Sequence, residues 1–131
     1  MYLSLPKTRK KIVYVGGVND SQKKPLFANA EAFLLPTCIE DPLPTVVLES
    51  AAAGTPVVAF GRGGVPEMIE DGRTGFIVGK DDLEGMIRAV KNVSGIKPED
   101  CRKFAEDNFS YKRMAQDYLK IYAQIIEESR A

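Results

Sequence analysis

The sequence predicts an α/β protein with a parallel doubly wound, Rossmann-like sheet of about four strands flanked by helices. Short apolar runs rich in β-branched residues alternate with stretches of helical character, and most of these runs are bounded by glycine or proline. Uninterrupted apolar strands are typical of parallel sheets covered on both faces, and helices between them form right-handed crossovers. The length of 131 residues fits a single domain, residues 1–131.

The first half of the chain contains two predicted strands. "KIVYVGG", Lys11 to Gly17, is a β-branched run closed by glycines and predicts a strand buried on both faces. Asn19 or Asp20 is a suitable cap for a helix that ends near Asn29. "AFLLPT", residues 32–37, predicts the second strand, which its proline ends.

The second half continues the alternation. A helix beginning near Pro44 leads to "PVVAF", residues 56–60, and "TGFIV", residues 74–78, follows as the fourth strand. Everything beyond is predicted to be helical, with two amphipathic faces that indicate packing. The apolar residues of these faces are Leu83, Met86, Ile87 and Val90 in the first, and Tyr111, Met114, Tyr118, Ile121, Tyr122 and Ile125 in the second.

Composition excludes several classes of site. The 18 basic side chains balance the 18 acidic ones, so no nucleic-acid partner is predicted, and the absence of histidine excludes His-based triads and zinc sites. The two cysteines, Cys38 and Cys101, are predicted to be free thiols, with Cys38 buried as a small filler. No signal pattern or long apolar run is evident, so we expect a cytoplasmic protein.

Ligands in parallel α/β sheets bind beyond the carboxyl ends of the strands. Three segments at such positions are unusual: "GGVND" after the first predicted strand, "TCIEDPLPT" after the second and "GRGGVPE" after the third. In the last segment the glycines and Arg62 could present amides and a cation to a phosphate. A glycine cluster after a strand is more often turn chemistry, which is the interpretation we favour here.

The second segment starts a helix that combines two kinds of ligand group. Pro44 suits the first helical position, so the N–H groups of Thr45, Val46 and Val47 are predicted to be free for a diphosphate. Helical spacing turns Val47 toward the sheet and Glu49 toward the rim of the crevice. A carboxylate beside an anion site has hydroxyl groups as its natural partner, and this combination indicates a nucleotide sugar.

A second interpretation of the same acids stays open at this point. Glu40, Asp41 and Glu49 are equally compatible with solvated surface carboxylates. In that case Asp41 would help to cap the helix and complement its dipole. Spacing alone does not separate the two interpretations.

The run "IEDPLPTVVLESAAAGTPVVAFGRGGVPEMIEDGRTGFIV" resembles the C-terminal, donor-binding part of retaining glycosyltransferases with the GT-B fold, in the GT4 family. That family's signature is a glutamate, seven residues and a second glutamate, followed by an alanine-rich run, a "GTPVVA" strand and a "G-x-PE" turn. The resemblance extends over about residues 11–123. It implies transfer of a sugar from a nucleoside-diphosphate sugar to an acceptor, without cofactor or metal.

The resemblance also assigns roles to individual residues. Glu49 matches the second glutamate, which implies contact with the ribose hydroxyls of the donor. Asp41 matches the first, which implies a carboxylate near the donor sugar at the reaction centre, and Glu40 is a spare candidate if the loop shifts by one residue. The other donor-binding positions implied are the backbone of Leu43, Thr45 and Val46 beside the sugar and diphosphate, and Gly16 and Gly17 with Val18 beside the base.

Three features depart from the family pattern. Asp41 is one methylene shorter than glutamate, Pro44 stands where glycine is usual, and Thr45 replaces leucine. Neither the family's N-terminal acceptor-binding domain nor its strands with diphosphate-clamping Arg and Lys precede "MYLSLPKTRKK". We therefore expect this chain alone not to transfer sugar efficiently. Its incomplete sheet edge is compatible with a homodimer, although Lys7, Arg9, Lys10 and Lys11 ahead of the first strand could instead keep that edge soluble, which is the interpretation we favour. The alternative is a non-catalytic α/β module, or a degenerate transferase fragment acting in assembly.

Overall fold

The computed structural model describes residues 12–131 and confirms the α/β class, with three parallel strands in the order β1, β2, β3. The strands are β1 (Phe33–Leu35), β2 (Val57–Phe60) and β3 (Gly75–Val78). A short 3-10 turn occupies Val93–Gly95. The helices are α1 (Asp20–Asn29), α2 (Thr45–Ala52), α3 (Val65–Met68), α4 (Leu83–Asn92), α5 (Pro98–Phe109) and α6 (Tyr111–Arg130).

The central strand β2 is buried on both faces, as its uninterrupted apolar sequence predicts. Val57, on one face, belongs to a core cluster with Val47 of α2. On the other face Val58 belongs to a cluster with Met86 of α4. Full burial of such a side chain contributes about 1.5–3 kcal/mol, so this strand anchors the layers that carry the site.

A third cluster joins α2 to α5 through small side chains. Ala51 on α2 and Ala105 on α5 are buried in the same cluster as Cys101. Burial raises the pKa of the Cys101 thiol to about 11, which makes it a neutral core group. Both cysteines are free thiols, as predicted, but the prediction that Cys38 is buried is wrong. Pro36 follows the end of β1, and the chain then leaves the sheet for an exposed loop.

Helix α1 begins with a capping box. The Asn19 side chain accepts the N–H of Gln22 at 3.0 Å, and the Gln22 side chain accepts the N–H of Asn19 at 3.0 Å. Of the two predicted caps, the structure therefore selects Asn19. The helix ends at Asn29, as predicted.

The predicted first strand is wrong over its described part, residues 12–17. No strand forms there, and Val13 is 79% exposed. A parallel strand needs a hydrogen-bonding neighbour, and no strand within residues 12–131 pairs with this run. Lys11 lies outside the described residues. The sheet thus has three strands instead of four, and β1 pairs with β2 alone in the described part of the chain.

The two predicted amphipathic helix faces are only partly covered. Met86 of α4 is buried, whereas Leu83 and Ile87 of the same helix are exposed. No residue of α6 is buried, so the apolar face that was predicted to pack is exposed. The same helix carries an ion pair between Arg113 and Asp117 at 2.8 Å. None of the helices in residues 12–131 has the length and apolar character needed to cross a membrane.

Candidate functional site

The connections that follow the three strands meet at the carboxyl edge of the sheet. Glu40, after β1, accepts hydrogen bonds from Lys80 Nζ at 2.8 Å and Arg62 Nη1 at 3.1 Å. Arg62 follows β2, and its Nη2 also donates to Asp81 Oδ2, after β3, at 2.7 Å. A chain of four charged groups therefore connects all three loops.

Glu40 is held by donors on both of its carboxylate oxygens. Besides the two cations on Oε1, the N–H of Gly63 donates to Oε2 at 2.7 Å. The Lys80 ammonium, the Gly63 N–H and the Arg62 guanidinium lower the pKa of Glu40 to about 2. Glu40, the spare catalytic candidate, is therefore an ionised group whose hydrogen bonds are made with the two neighbouring loops.

Asp41 is exposed and keeps one carboxylate oxygen available. Its Oδ1 accepts the N–H of Leu43 at 2.9 Å, and its main-chain oxygen accepts the N–H of Gly64 at 2.8 Å. Within residues 12–131, Oδ2 accepts no hydrogen bond from a protein group. The structure thus fixes the loop around Asp41 while leaving an oxygen free for a ligand hydroxyl.

The glycine cluster after β2 forms a turn and not a phosphate site, which is the interpretation favoured from sequence. Gly61 donates its N–H to the Val78 carbonyl at 2.8 Å, while the Gly63 and Gly64 amides are used by Glu40 and Asp41. None of these three amides is free for a phosphate. Gly63 also has a φ of +52°, in the left-handed region that favours glycine.

Arg62 is likewise occupied. Its side chain is 14% exposed and pairs with Glu40 and Asp81, the latter contact being the larger cause of its raised pKa. Its Nε is buried and has no hydrogen-bond partner within the described part of the chain. Arg62 therefore acts as a bridge inside the loop cluster.

At the start of α2 two free amides are found instead of the predicted three. Pro44 is the N-cap, one position before the first helical residue, and it accepts the N–H of Val47 at 2.9 Å. The prediction that the Val47 amide is free is therefore wrong, because the first helical hydrogen bond already uses it. Across residues 12–131 no acceptor faces the N–H groups of Thr45 and Val46, and these two amides define the positive end of the helix.

Glu49 lies one turn further along α2, and its helical phase is as predicted. Val47 and Ala51 are buried toward the core, whereas the Glu49 side chain is 36% exposed. Lys23 of α1 binds its Oε2 at 2.6 Å. Hydrogen bonds to Glu49 and then to Asp20 raise the pKa of Lys23, so the lysine stays charged beside the Glu49 carboxylate.

An apolar groove of about 420 Å³ lies between α1 and the start of α2. Val46 and Lys23 line it, which places it beside the free amides and the Glu49 ion pair. Gly16 and Gly17 immediately precede Val18, another residue of its wall. Apart from the chain neighbours, no atom of residues 12–131 lies within 4 Å of a Cβ added at either glycine. The remaining wall residues are Leu26, Phe27, Ala30, Ala32 and Phe33.

Three charged residues of this region, Lys23, Lys80 and Asp81, were not among the site residues predicted from sequence. Lys80 and Asp81 follow β3 directly, so the rule that selected the other strand ends also applies to "GKDD". Lys23 had no such signal, because its contact with Glu49 arises only when α1 packs beside α2. In the described residues no group of three or more Cys, Asp and Glu side chains could hold a metal ion, and the predicted independence from metal stays a prediction.

Comparison with known proteins assigns the chain to a family. Residues 2–94 match the family described as Glycosyl transferases group 1. The spore coat protein SA of Bacillus subtilis is 31% identical over 106 residues, which cover 74% of this chain and 28% of that protein. A glycosyltransferase of Methanocaldococcus jannaschii is 29% identical over 125 residues, covering 91% of this chain and 32% of that protein.

A solved structure agrees with these sequence relatives. AviGT4, a glycosyltransferase involved in avilamycin A biosynthesis, superposes with a TM-score of 0.60 at 26% identity, over 78% of this chain and 32% of that chain. The chain thus spans about a third of the length of these relatives. It belongs to the group 1 glycosyltransferases and forms part of a domain of their GT-B fold.

Proposed function

We propose that this chain is the nucleotide-sugar-binding portion of a retaining, metal-independent glycosyltransferase that transfers sugar from a nucleoside-diphosphate sugar to an acceptor. The observation that carries the proposal is on α2, where two free amides at the helix start lie one turn from the Glu49 carboxylate. A diphosphate and a pair of hydroxyl groups, which this arrangement suits, are adjacent parts of one ligand.

The diphosphate would bind at the start of α2. The N–H groups of Thr45 and Val46 donate to its oxygens, and the positive end of the helix dipole favours its charge. In transfer, negative charge builds up on the leaving diphosphate, and preorganised amides stabilise such charge without a metal. The Thr45 hydroxyl is exposed at the same position and adds a further donor.

The ribose would bind to Glu49. A carboxylate can accept hydrogen bonds from two neighbouring hydroxyl groups. Binding is more favourable when the carboxylate is already held in the required orientation. Lys23 supplies that orientation through its 2.6 Å contact with Oε2. The same lysine lines the apolar groove, so the ribose position and the groove share a wall.

The groove would receive the base. Its walls are apolar, as expected for a site that packs against the faces of an aromatic ring. Val18 lines it, and the open approach at Gly16 and Gly17 leaves room for a ring edge. This agrees with the roles that the family resemblance implies for these residues.

The donor sugar would face the Asp41 loop. Oδ2 of Asp41 is free to accept a sugar hydroxyl, and the Leu43 backbone lies in the same loop. The isolated chain is proposed to bind the donor without transferring its sugar efficiently. Transfer would also need an acceptor-binding domain, which we propose as a partner. Pairing of two copies through the β1 edge, where Leu34 is 44% exposed, is a second proposed partnership.

Calorimetric titration of UDP, GDP, ADP and their sugar conjugates tests this proposal. One nucleotide should bind selectively, and Glu49→Gln should weaken it about tenfold or more, the usual cost of losing a charged hydrogen-bond acceptor. Glu106→Gln is the matched control, because Glu106 on α5 is an exposed carboxylate near Glu49: the two line a pocket between α2 and α5, separate from the groove proposed for the base. Equal affinities of the two variants would contradict the ribose assignment.

One observation favours the alternative of a non-catalytic module. Glu49 is already neutralised by Lys23 and Glu40 by Lys80, so both acids have protein partners without a ligand. A module of this kind would be indifferent to nucleotides. A folded protein that gives no heat with any of the nucleotides would support this alternative and refute donor binding by this chain.

A further inference from the structure

We infer that Glu40 is a positioning residue, which fixes the Asp41 carboxylate toward the donor sugar by joining its loop to the turn after β2. The inference deepens the proposed function and rests on it, since it assigns Asp41 to the sugar end of the ligand. The spacing to Glu49 favours Asp41 as the reacting group, but it does not show what Glu40 does. The distinction comes from its contacts.

Glu40 is saturated by protein donors from two other loops. Lys80 Nζ lies 2.8 Å and Arg62 Nη1 3.1 Å from Oε1, and the Gly63 N–H lies 2.7 Å from Oε2. A ligand would have to displace charged or backbone donors to use this carboxylate, at the cost of leaving them unpaired. Asp41, by contrast, keeps Oδ2 without a protein donor within residues 12–131.

The connection from Glu40 to Asp41 runs through the backbone of the turn. Next to the Gly63 amide that Glu40 accepts, the Gly64 N–H donates to the Asp41 main-chain oxygen at 2.8 Å. A Cβ on Gly63 would overlap the Asp41 carbonyl, and one on Gly64 would overlap the Pro42 carbonyl. The two backbones are therefore in direct contact, so a shift of one moves the other.

The turn itself is braced from its far side. Arg62 Nη2 binds Asp81 Oδ2 at 2.7 Å, and Asp81 has a φ of +62°, a left-handed conformation that is uncommon outside glycine. Asp81, in the loop after β3, thus fixes the Arg62 guanidinium. Arg62 and the Gly63 amide then fix Glu40, which holds the start of the Asp41 loop. A misplacement of about 1 Å at a reacting group costs on the order of a hundredfold in rate, which gives this bracing its functional weight.

The test compares Glu40→Gln with the matched control Glu70→Gln in the whole chain. Glu70 also pairs with an arginine, Arg73, at 3.0 Å, and within residues 12–131 its side chain has no hydrogen bond or ion pair with Glu40, Arg62, Lys80 or Asp81. In the first readout, amide hydrogen exchange is followed by NMR. Glu40→Gln should speed exchange at Leu43 and Gly64 about tenfold, while Gly61, bonded to Val78, keeps its rate as an internal standard.

The second readout separates positioning from general damage. Titrations use the nucleoside diphosphate that binds best among UDP, GDP and ADP, together with its sugar conjugate. Glu40→Gln should lower affinity for the conjugate about tenfold and leave affinity for the diphosphate within about twofold. In an Asp41→Asn background the same change should have no further effect, because Glu40 acts through Asp41.

Each outcome bears on one claim. Parallel loss for diphosphate and conjugate, or full additivity with Asp41→Asn, would overturn the positioning role. If no nucleotide binds, the proposed function fails, and the exchange rates alone decide whether Glu40 orders the Asp41 loop. Unchanged exchange at Leu43 and Gly64 overturns the inference whatever the titrations show.

Discussion

Gly64→Ala is the smallest change that should disturb the Asp41 loop without removing any functional group. The backbone of Gly64 has a φ of −82°, which alanine adopts without strain, so conformational preference is not the obstacle. The obstacle is space, because a Cβ at this position would overlap the Pro42 carbonyl oxygen. Relief requires a relative movement of the two loops on the order of 1 Å.

Two magnitudes follow from that movement. Overpacking of a rigid contact costs about 1–3 kcal/mol, and at about 4 °C per kcal/mol the melting temperature should fall by roughly 4–12 °C. The movement also breaks the 2.8 Å hydrogen bond from Gly64 to the Asp41 carbonyl. We expect affinity for the sugar conjugate to fall more than affinity for the diphosphate, because the diphosphate binds at the start of α2.

Scanning calorimetry and the paired titrations measure these effects. Gly95→Ala is the control. In the described part of the chain no atom other than those of its neighbours in sequence lies within 4 Å of a Cβ added there, and its φ is not in the positive region. It should leave both the melting temperature and the affinities close to those of the unchanged protein. A Gly64→Ala protein with unchanged stability and unchanged preference for the conjugate would refute the argument that these loops are in rigid contact.

Three further predictions follow from the charges and edges of the site. Lys23→Met should weaken nucleotide binding by up to about fivefold, the worth of a partly exposed ion pair, and unchanged calorimetric affinity would deny it an orienting role. Lys80, Gly63 and Arg62 lower the pKa of Glu40 to about 2, and Asp81 binds the same Arg62 guanidinium. The ionised Glu40 side chain therefore contributes fully to the free energy of unfolding above pH 4.5, and this contribution is lost as the pH falls toward 2. Thermal denaturation of Glu40→Gln should therefore differ from that of the unchanged protein at pH 6 and converge with it near pH 2, and a constant difference would be inconsistent with this sign. Leu34→Lys at the β1 edge should turn a dimer into a monomer in light scattering, and a monomeric starting protein would rule out the homodimer.

Local sequence signals were sufficient where the contacts that stabilise an element are themselves local. A helix cap at Asn19 or Asp20 and the apolar strand over residues 56–60 were predicted from sequence, and the structure has the cap at Asn19 and β2 at Val57–Phe60. The phase of α2 is also correct, because the burial of Val47 and Ala51 follows from helical spacing. These elements place the site at the carboxyl edge of the sheet.

Errors arose where an element depends on a partner that the pattern does not specify. The run from Ile12 to Gly17 has strand composition, yet a strand exists only beside a neighbour, and none is present within residues 12–131. The contact between Lys23 and Glu49 depends on the packing of α1 against α2, and the roles of Glu40 and Asp41 diverge only once three loops meet. The spacing to Glu49 favours Asp41 over Glu40, but no local signal shows that Glu40 binds Lys80, Arg62 and Gly63 of the other two loops.

The central claim is that a diphosphate binds to the start of α2, and NMR titration of the labelled chain tests it most directly. Addition of UDP, GDP and ADP in turn should shift the amide signals of Thr45 and Val46 most strongly with the nucleotide that binds, with Glu49 and Lys23 responding at the same midpoint. Glu49→Gln should raise that midpoint about tenfold, whereas Glu106→Gln should not. Shifts centred on another part of the chain, or none with any nucleotide in a folded protein, would contradict the account.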